Sequence, residues 1–103
     1  MDQYLIEFKR GTLTMAVLSQ LKMPQYGYSL LEQLQSYDYQ VESGTLYPLL
    51  RRLEKQGLLN SEWDTSEARP RKYYSLSDLG TQTLNQLIEE WEKQTIILKE
   101  MIR

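Results

Sequence analysis

The stretch SGTLYPLLRRLEKQGLLNSEWDTSEARPRKYY occupies residues 43–74 and determines the fold that we predict for this chain. Its first part places four leucines at the i, i+3, i+4, i+7 spacing of a buried helical stripe: Leu46, Leu49, Leu50 and Leu53. Gly57 follows as a left-handed helix stop, a conformation that glycine adopts without steric cost. Two extended runs, 58–63 and 71–76, come next and predict a two-stranded ribbon with a long polar loop.

Basic side chains lie at polar positions of the same stretch. Three belong to the predicted helix and three to the ribbon tip: Arg51, Arg52, Lys55, Arg69, Arg71 and Lys72. Acidic residues concentrate near the C-terminus, and salt limits electrostatic fields to about 8 Å, so this distribution matters more than the net charge of −2. The pattern favours a winged helix-turn-helix that binds nucleic acid. An ordinary acidic protein with two solvated faces is the alternative.

Two further helices are predicted before this stretch. Apolar residues at helical spacing predict the first over residues 4–21, although Gly11 within it costs about 1 kcal/mol relative to alanine. A close approach by another backbone or a bulky side chain, or a bend in the helix, would explain that glycine. Residues 22–27 contain a proline and a glycine and predict a turn. The second helix follows over residues 27–36.

The start of the third helix contains one unfavourable residue. Ser43 is a suitable N-cap, because its hydroxyl can accept a hydrogen bond from a backbone N–H two or three residues later. Pro48, in the second turn, lacks the N–H that would bond to the carbonyl of Gly44. The proline predicts either a late helix start or a distorted first turn. A distorted turn would present Thr45 and Tyr47 outward, where the helix dipole favours a phosphate.

A long helix is predicted from residue 77 to the C-terminus. It would contain roughly 25 residues and extend about 37 Å. Its apolar stripe has alternating spacings of three and four, broken only by Gln94: Leu84, Leu87, Trp91, Leu98 and Met101. A small domain cannot cover so long a stripe, so we expect a second copy to pack against it, with the first helix helping. A helix folded back on its own domain is the alternative. We predict a mainly α fold: a winged helix-turn-helix with a small β-ribbon over residues 1–76, and a dimerisation helix over residues 77–103 that forms one compact unit with the N-terminal helix.

The composition narrows the class of protein. With 103 residues, of which 41% are hydrophobic and 25% charged, the chain is expected to form one folded domain. No run of about 18 apolar residues predicts a membrane span, and the N-terminus lacks the pattern of a secretory signal. Cysteine is absent, as is usual for proteins of a reducing compartment. We expect a cytoplasmic protein without membrane contact.

The residues that most often carry catalysis are missing. The chain has no histidine and no cysteine, and no glycine-rich phosphate-binding loop occurs. Its carboxylates are scattered over predicted solvent faces, which is a poor arrangement for general acid–base chemistry. We therefore predict that the protein is not an enzyme and needs no metal or cofactor.

Four segments carry a family resemblance. They are RGTL at residues 10–13, YGY at 26–28, SGTLYPLLRRLE at 43–54 with Gly57-Leu58, and RPRKYYSL at 69–76 with Gly80. Together they resemble the PadR family of bacterial transcriptional regulators, in particular its small members with a single C-terminal helix. The resemblance covers nearly the whole chain and implies a dimeric winged helix-turn-helix repressor that binds double-stranded DNA at a palindromic operator. It does not fix the operator or the controlled genes.

The resemblance also implies roles for individual residues. It places the third helix in the major groove and favours a helix that continues through its proline. The expected base-contacting residues are Thr45, Tyr47 and Arg51. The expected phosphate-contacting residues are Ser43, Arg52, Arg71 and Lys72, and the predicted DNA-binding set is completed by Pro48 and Arg69.

A tryptophan in the last helix suggests an effector. Small members with such a tryptophan are similar to multidrug-responsive regulators, in which paired tryptophans stack planar compounds. The resemblance therefore implies a planar aromatic effector bound at Trp91, with Ile88 and Phe8 nearby, whereas packing in the dimer core is the alternative. Two competing functions stay open: a protein-interaction module, and a small-molecule sensor without sequence-specific DNA binding.

Overall fold

The computed structural model describes residues 2–103 and arranges them in four helices and three short strands. In chain order these are α1 (Gln3–Ser19), β1 (Gln25–Tyr26), α2 (Gly27–Ser36), α3 (Ser43–Lys55), β2 (Leu59–Asp64), β3 (Arg71–Leu76) and α4 (Asp78–Ile102). The strands form one antiparallel sheet in the order β1-β3-β2. Helices α2 and α3 form the helix-turn-helix, and β2 and β3 with their connecting loop form the wing. The predicted fold class is confirmed.

The core forms around α3. Its four leucines are buried, and they pack against buried side chains of the two preceding helices: Val17, Leu18, Leu30 and Leu34. The helix continues through Pro48, as the family resemblance predicted, and Gly57 ends the following turn with a φ of 83°. Because the apolar stripe of α3 faces the core, its polar positions face solvent.

The sheet contains one strand that the sequence did not predict. Residues 22–27 were expected to form only a turn, but Gln25 pairs with Tyr74 and Tyr26 with Tyr73. A two-residue strand is too short to show alternation, and it exists because the edge of β3 supplies its partner. The predicted two-stranded ribbon is therefore a three-stranded sheet.

The helix ends agree with the sequence in one case and differ in another. Ser77 caps α4, and its hydroxyl accepts a hydrogen bond from the N–H of Gly80 at 2.9 Å. At α3 the predicted cap is wrong by one residue, because Glu42 occupies the N-cap position and Ser43 is the first helical residue. The carbonyl of Glu42 accepts hydrogen bonds from two N–H groups of the first turn. Within residues 2–103 the hydroxyl of Ser43 forms no hydrogen bond, and the residue is exposed.

The first turns of α4 are built into the domain core. The hydroxyl of Ser77 donates a hydrogen bond to the carbonyl of Gly57 at 2.6 Å. The backbone N–H of Ser77 donates one to the carbonyl of Leu58 at 3.1 Å. Gly80 lies so close that a Cβ there would overlap the Leu58 carbonyl oxygen. Leu84, which the sequence assigned to the dimerisation stripe, is only 2% exposed within its own chain. This corrects the assignment, since Leu84 has almost no surface left for a second copy to cover.

The remainder of α4 extends away from the domain. Exposure reaches 53% at Trp91, 48% at Leu98 and 73% at Met101, and the molecule is elongated, with extents of 56 × 33 × 22 Å. Despite these apolar side chains, none of the helices within residues 2–103 is long and apolar enough to span a bilayer.

Candidate nucleic-acid interface

An open groove of about 590 Å³ lies between α3 and the wing, and we call it the α3–wing groove. Five of the nine predicted DNA-binding residues line it: Tyr47, Arg51, Arg69, Arg71 and Lys72. Four aromatic residues that the sequence analysis did not assign also line it: Tyr26, Tyr28, Trp63 and Tyr74. Tyr28 and Trp63 are exposed. The YGY segment at residues 26–28, which the family resemblance singled out, was the available signal for Tyr26 and Tyr28.

The other predicted residues lie elsewhere along α3. Ser43 and Thr45 line a separate open depression together with residues of α1 and of the α2–α3 connection. Pro48 and Arg52 are exposed on the turns between these two regions. The predicted set therefore follows the whole exposed side of α3 instead of gathering in one pocket.

The arginines of this surface are electrostatically available. Within residues 2–103, Arg51, Arg52, Arg69 and Arg71 form no ion pair with any carboxylate. The nearby carboxylate of Asp64 instead accepts hydrogen bonds from the hydroxyl and the N–H of Ser66, at 2.6 and 2.9 Å, which lower its pKa. The same described residues contain no cluster of acidic side chains that could hold a metal ion. The surface is thus suited to an anionic ligand.

Tyr47 is anchored between two helices. Its ring packs against Gly27, where an added Cβ would lie 2.7 Å from the ring carbon Cε1. The glycine of the YGY segment therefore permits the close approach of α2 and α3 at this point. Tyr47 is half-buried, with its remaining surface in the α3–wing groove.

Arg71 is supported by the unexpected strand β1. Its guanidinium carbon lies 4.5 Å from the centroid of the Tyr26 ring, in a cation–π contact. Tyr26 in turn meets Tyr73 edge to face, with 5.5 Å between the ring centroids. The strand thus supplies an aromatic surface beneath an exposed arginine.

Lys72 lines the same groove as Arg71, but its side chain has a partner on α3. Its ammonium nitrogen donates a hydrogen bond to Oε1 of Glu54 on α3 at 2.8 Å, and Oε2 of Glu54 accepts a hydrogen bond from the Ser61 hydroxyl. These bonds lower the pKa of Glu54, and the bond to Glu54 raises the pKa of Lys72. That Lys72 contacts phosphate stays a prediction, but its charge is already balanced by Glu54.

A second groove, of about 500 Å³, lies between α1 and α4, and we call it the α1–α4 groove. Trp91 lines it together with Gly11, Met15 and Leu87. Of the three predicted effector-binding residues, only Trp91 lies in this groove, because Ile88 packs on the core and Phe8 is exposed on α1. The chain itself places no atom within 4 Å of a Cβ added at Gly11. The close approach that would explain this glycine is therefore absent within the described chain.

Comparison with known proteins identifies the family. The model of the transcriptional regulator PadR-like family matches residues 15–86. A PadR family transcriptional regulator from Eggerthella lenta has a similar structure, with a TM-score of 0.93, 44% identity, and coverage of 98% of this chain and 90% of that chain. For a PadR-like transcription factor from Bacteroides fragilis the TM-score is 0.83 and the identity 32%, over 97% of this chain and 99% of that one. A transcriptional regulator of Mycobacterium tuberculosis is 35% identical over 81 residues, which are 78% of this chain and 76% of that protein. The chain belongs to the PadR-like family, whose members are transcriptional regulators and not enzymes.

Proposed function

We propose that this protein is a dimeric repressor that binds palindromic double-stranded DNA through α3 and the wing. The observation that carries the proposal is the set of four arginines along α3 and the wing that form no ion pair within residues 2–103. Unpaired guanidinium groups bind phosphates without first breaking an ion pair, and each neutralised phosphate releases condensed counterions. The net charge of −2 does not oppose this, because salt limits electrostatic fields to about 8 Å and the local distribution of charge therefore matters more than the total.

Helix α3 is proposed to enter the major groove, whose width of about 12 Å admits a helix. Thr45, Tyr47 and Arg51 would contact base edges, since an arginine can bond to two acceptors of one guanine. Ser43 at the first helical position would hold a phosphate with the help of the α3 dipole. Arg52, in the last turn of α3, would hold another through its own charge. Pro48 lies exposed among them.

The wing is proposed to contact the flanking backbone or the minor groove. Arg69 lies in the wing loop, Arg71 begins β3, and both line the α3–wing groove. The aromatic support beneath Arg71 limits the freedom of its guanidinium, which lowers the entropy lost on binding. Among the wing residues, Arg71 is therefore the one whose substitution should weaken DNA binding most.

A second copy is proposed to cover the exposed side of α4. Burial of apolar surface contributes roughly 25 cal/mol per Å², and the stripe beyond Leu84 offers Leu87, Trp91, Leu98 and Met101. A two-fold dimer would place two α3 helices about 34 Å apart, which is one turn of DNA. The two-fold symmetry of such a dimer is the reason to expect a palindromic operator.

The DNA interface can be tested with Arg71→Ala and a duplex selected by this protein from a random-sequence pool. Loss of one phosphate contact should weaken binding and lower the slope of log affinity against log salt by about 0.9. Arg103→Ala is the matched control, because it removes the same charge from the far end of α4. Unchanged affinity and slope for Arg71→Ala would argue against a DNA-contacting wing. Selection of no duplex at all by the unaltered protein would refute the proposal and favour a protein-interaction module.

The effector is proposed to be a planar aromatic compound that stacks on Trp91 in the α1–α4 groove and relieves repression. Trp91 is half exposed beside an apolar groove wall, and aromatic stacking adds about 0.5–1.5 kcal/mol beyond the area buried. Planar cationic dyes should quench tryptophan fluorescence in the unaltered protein and in Trp63→Phe. In Trp91→Phe the quenching should be lost, and equal quenching there would contradict the assignment.

A further inference from the structure

One carboxylate of α3 is bound by both strands of the wing. The two oxygens of Glu54 accept hydrogen bonds from Lys72 on β3 and from Ser61 on β2. Among residues 2–103 this is the ion pair that joins the helix to the wing, the other pair lying within α4 and its C-terminal residue. We call the three residues the Glu54 bridge.

The surroundings of the bridge differ from those of an ordinary surface ion pair. The side chains of Lys72 and Glu54 are only 28% and 31% exposed, so solvent screens their attraction less than at an open surface. The ammonium of Lys72 also lies 5.2 Å from the centroid of the Tyr74 ring. Tyr74 belongs to the buried core, so the ring beside the ammonium group is held in place.

The position of the bridge links it to the DNA-binding surface. Glu54 follows buried Leu53 and lies one helical turn after Leu50, so α3 holds it rigidly. Lys72 is adjacent to Arg71, and Ser61 lies two residues before Trp63. The bridge therefore sets the distance between the arginines of α3 and those of the wing.

We propose that Glu54 and Lys72 are positioning residues that hold the wing against α3 in the geometry that binds DNA. The inference rests on the proposed function, since it assigns Lys72 to the alignment of that surface and not to a phosphate. It implies that Glu54 strengthens DNA binding although it is an acidic residue beside a polyanion.

The first test measures whether loss of the Glu54 charge weakens or tightens DNA binding. Removal of a negative charge near DNA should by electrostatics alone tighten binding, whereas Glu54→Gln should weaken it about five- to tenfold if the bridge aligns the wing. Glu62→Gln is the matched control, because Glu62 lies exposed on β2 and forms no ion pair within residues 2–103. Binding of Glu54→Gln as tight as that of the unaltered protein, or tighter, would overturn the proposal.

The second test separates alignment from phosphate contact. Lys72→Gln should weaken binding by a similar factor while the salt slope stays unchanged, because no counterion-releasing contact is lost. A slope lower by about 0.9 would show that Lys72 binds phosphate and would overturn the assignment. The exchanged pair Glu54→Lys with Lys72→Glu should recover most of the affinity, since the attraction is restored with its charges reversed.

A DNA-free measurement distinguishes failure of this inference from failure of the proposed function. Hydrogen exchange of the wing amides should accelerate several-fold in Glu54→Gln and in Lys72→Gln, and no further in the double variant, because either change breaks the same bridge. If the protein selects no DNA, the proposed function is refuted. Non-additive exchange rates in the same protein would still support the bridge. Additive acceleration in the double variant would show that the two residues act independently and would overturn the bridge itself.

Discussion

Helices α3 and α4 carry similar apolar stripes but differ in what covers them. The four leucines of α3 are all 6% exposed or less. On α4 only Leu84 is buried to that extent, and further along the helix the exposure of Trp91, Leu98 and Met101 lies between 48% and 73%. Periodicity therefore identifies which side chains share a face of a helix, and it does not identify the molecule that covers that face.

The difference arises because the domain core extends along the whole of α3 but only along the first turns of α4. Helix α3 is surrounded by α1, α2 and the sheet, so each leucine meets side chains of its own chain. Helix α4 is held at its start by the contacts of Ser77 and Gly80 with the Gly57–Leu58 turn. Its later turns extend beyond the core, beside an α1 whose Phe8 is exposed as well. The two uncovered faces are available to one partner.

Truncation of one leucine in each stripe is expected to have the largest effects, on folding stability for α3 and on dimerisation for α4. Leu50→Ala should lower the free energy of unfolding by about 2–5 kcal/mol, because the side chain is fully buried and its loss leaves a cavity. Leu98→Ala should leave the free energy of unfolding of the single chain nearly unchanged and weaken dimerisation instead. Urea unfolding at several protein concentrations and sedimentation equilibrium separate the two quantities.

Comparison of Leu50→Ala with Leu98→Ala shows whether the apolar stripe of α4 is covered by the same chain or by a second copy. A loss for Leu98→Ala that is independent of protein concentration would mean that the chain covers its own stripe. Sedimentation of Leu98→Ala as the same species as the unaltered protein, with equal affinity, would exclude this part of α4 from the interface between copies.

Local rules predicted most of the helices and the wing. The leucine spacing of α3, the Gly57 stop and the Ser77 cap each act over a few residues, and the structure contains all three. Pro48 shows where local rules failed to decide, since they left open both a late helix start and a distorted first turn. The buried leucines on both sides of the proline hold α3 helical, so packing overrides the local penalty.

The features that the sequence did not predict depend on distant contacts. Strand β1 exists because β3 is beside it, and two residues carry no period of their own. Arg71 and Lys72 form one basic cluster in the sequence but have different partners in the structure, the Tyr26 ring for Arg71 and Glu54 for Lys72. Only the packing of the wing on α3 brings Lys72 to Glu54, 18 positions away.

Substitution of two glycines tests the same difference between covered and uncovered surface, with smaller expected changes in the free energy of unfolding. Gly80 lies at the covered end of α4, where a Cβ would overlap the carbonyl oxygen of Leu58. Gly80→Ala should therefore lower the free energy of unfolding by about 1–3 kcal/mol, since the backbone must shift to relieve the overlap. Thermal and urea unfolding measure this loss, which should appear at every protein concentration.

Gly11 is the matched position on the uncovered side. It lies within α1 and lines the α1–α4 groove, and an added Cβ would meet no atom of the chain within 4 Å. Gly11→Ala should raise the free energy of unfolding of the dilute single chain by up to about 1 kcal/mol, because alanine is the better helix former. Destabilisation at high dilution would contradict the open surface. Stabilisation at dilution that is reversed as the copies associate would show that a second copy packs closely on Gly11, since only then does the added methyl group find a neighbour.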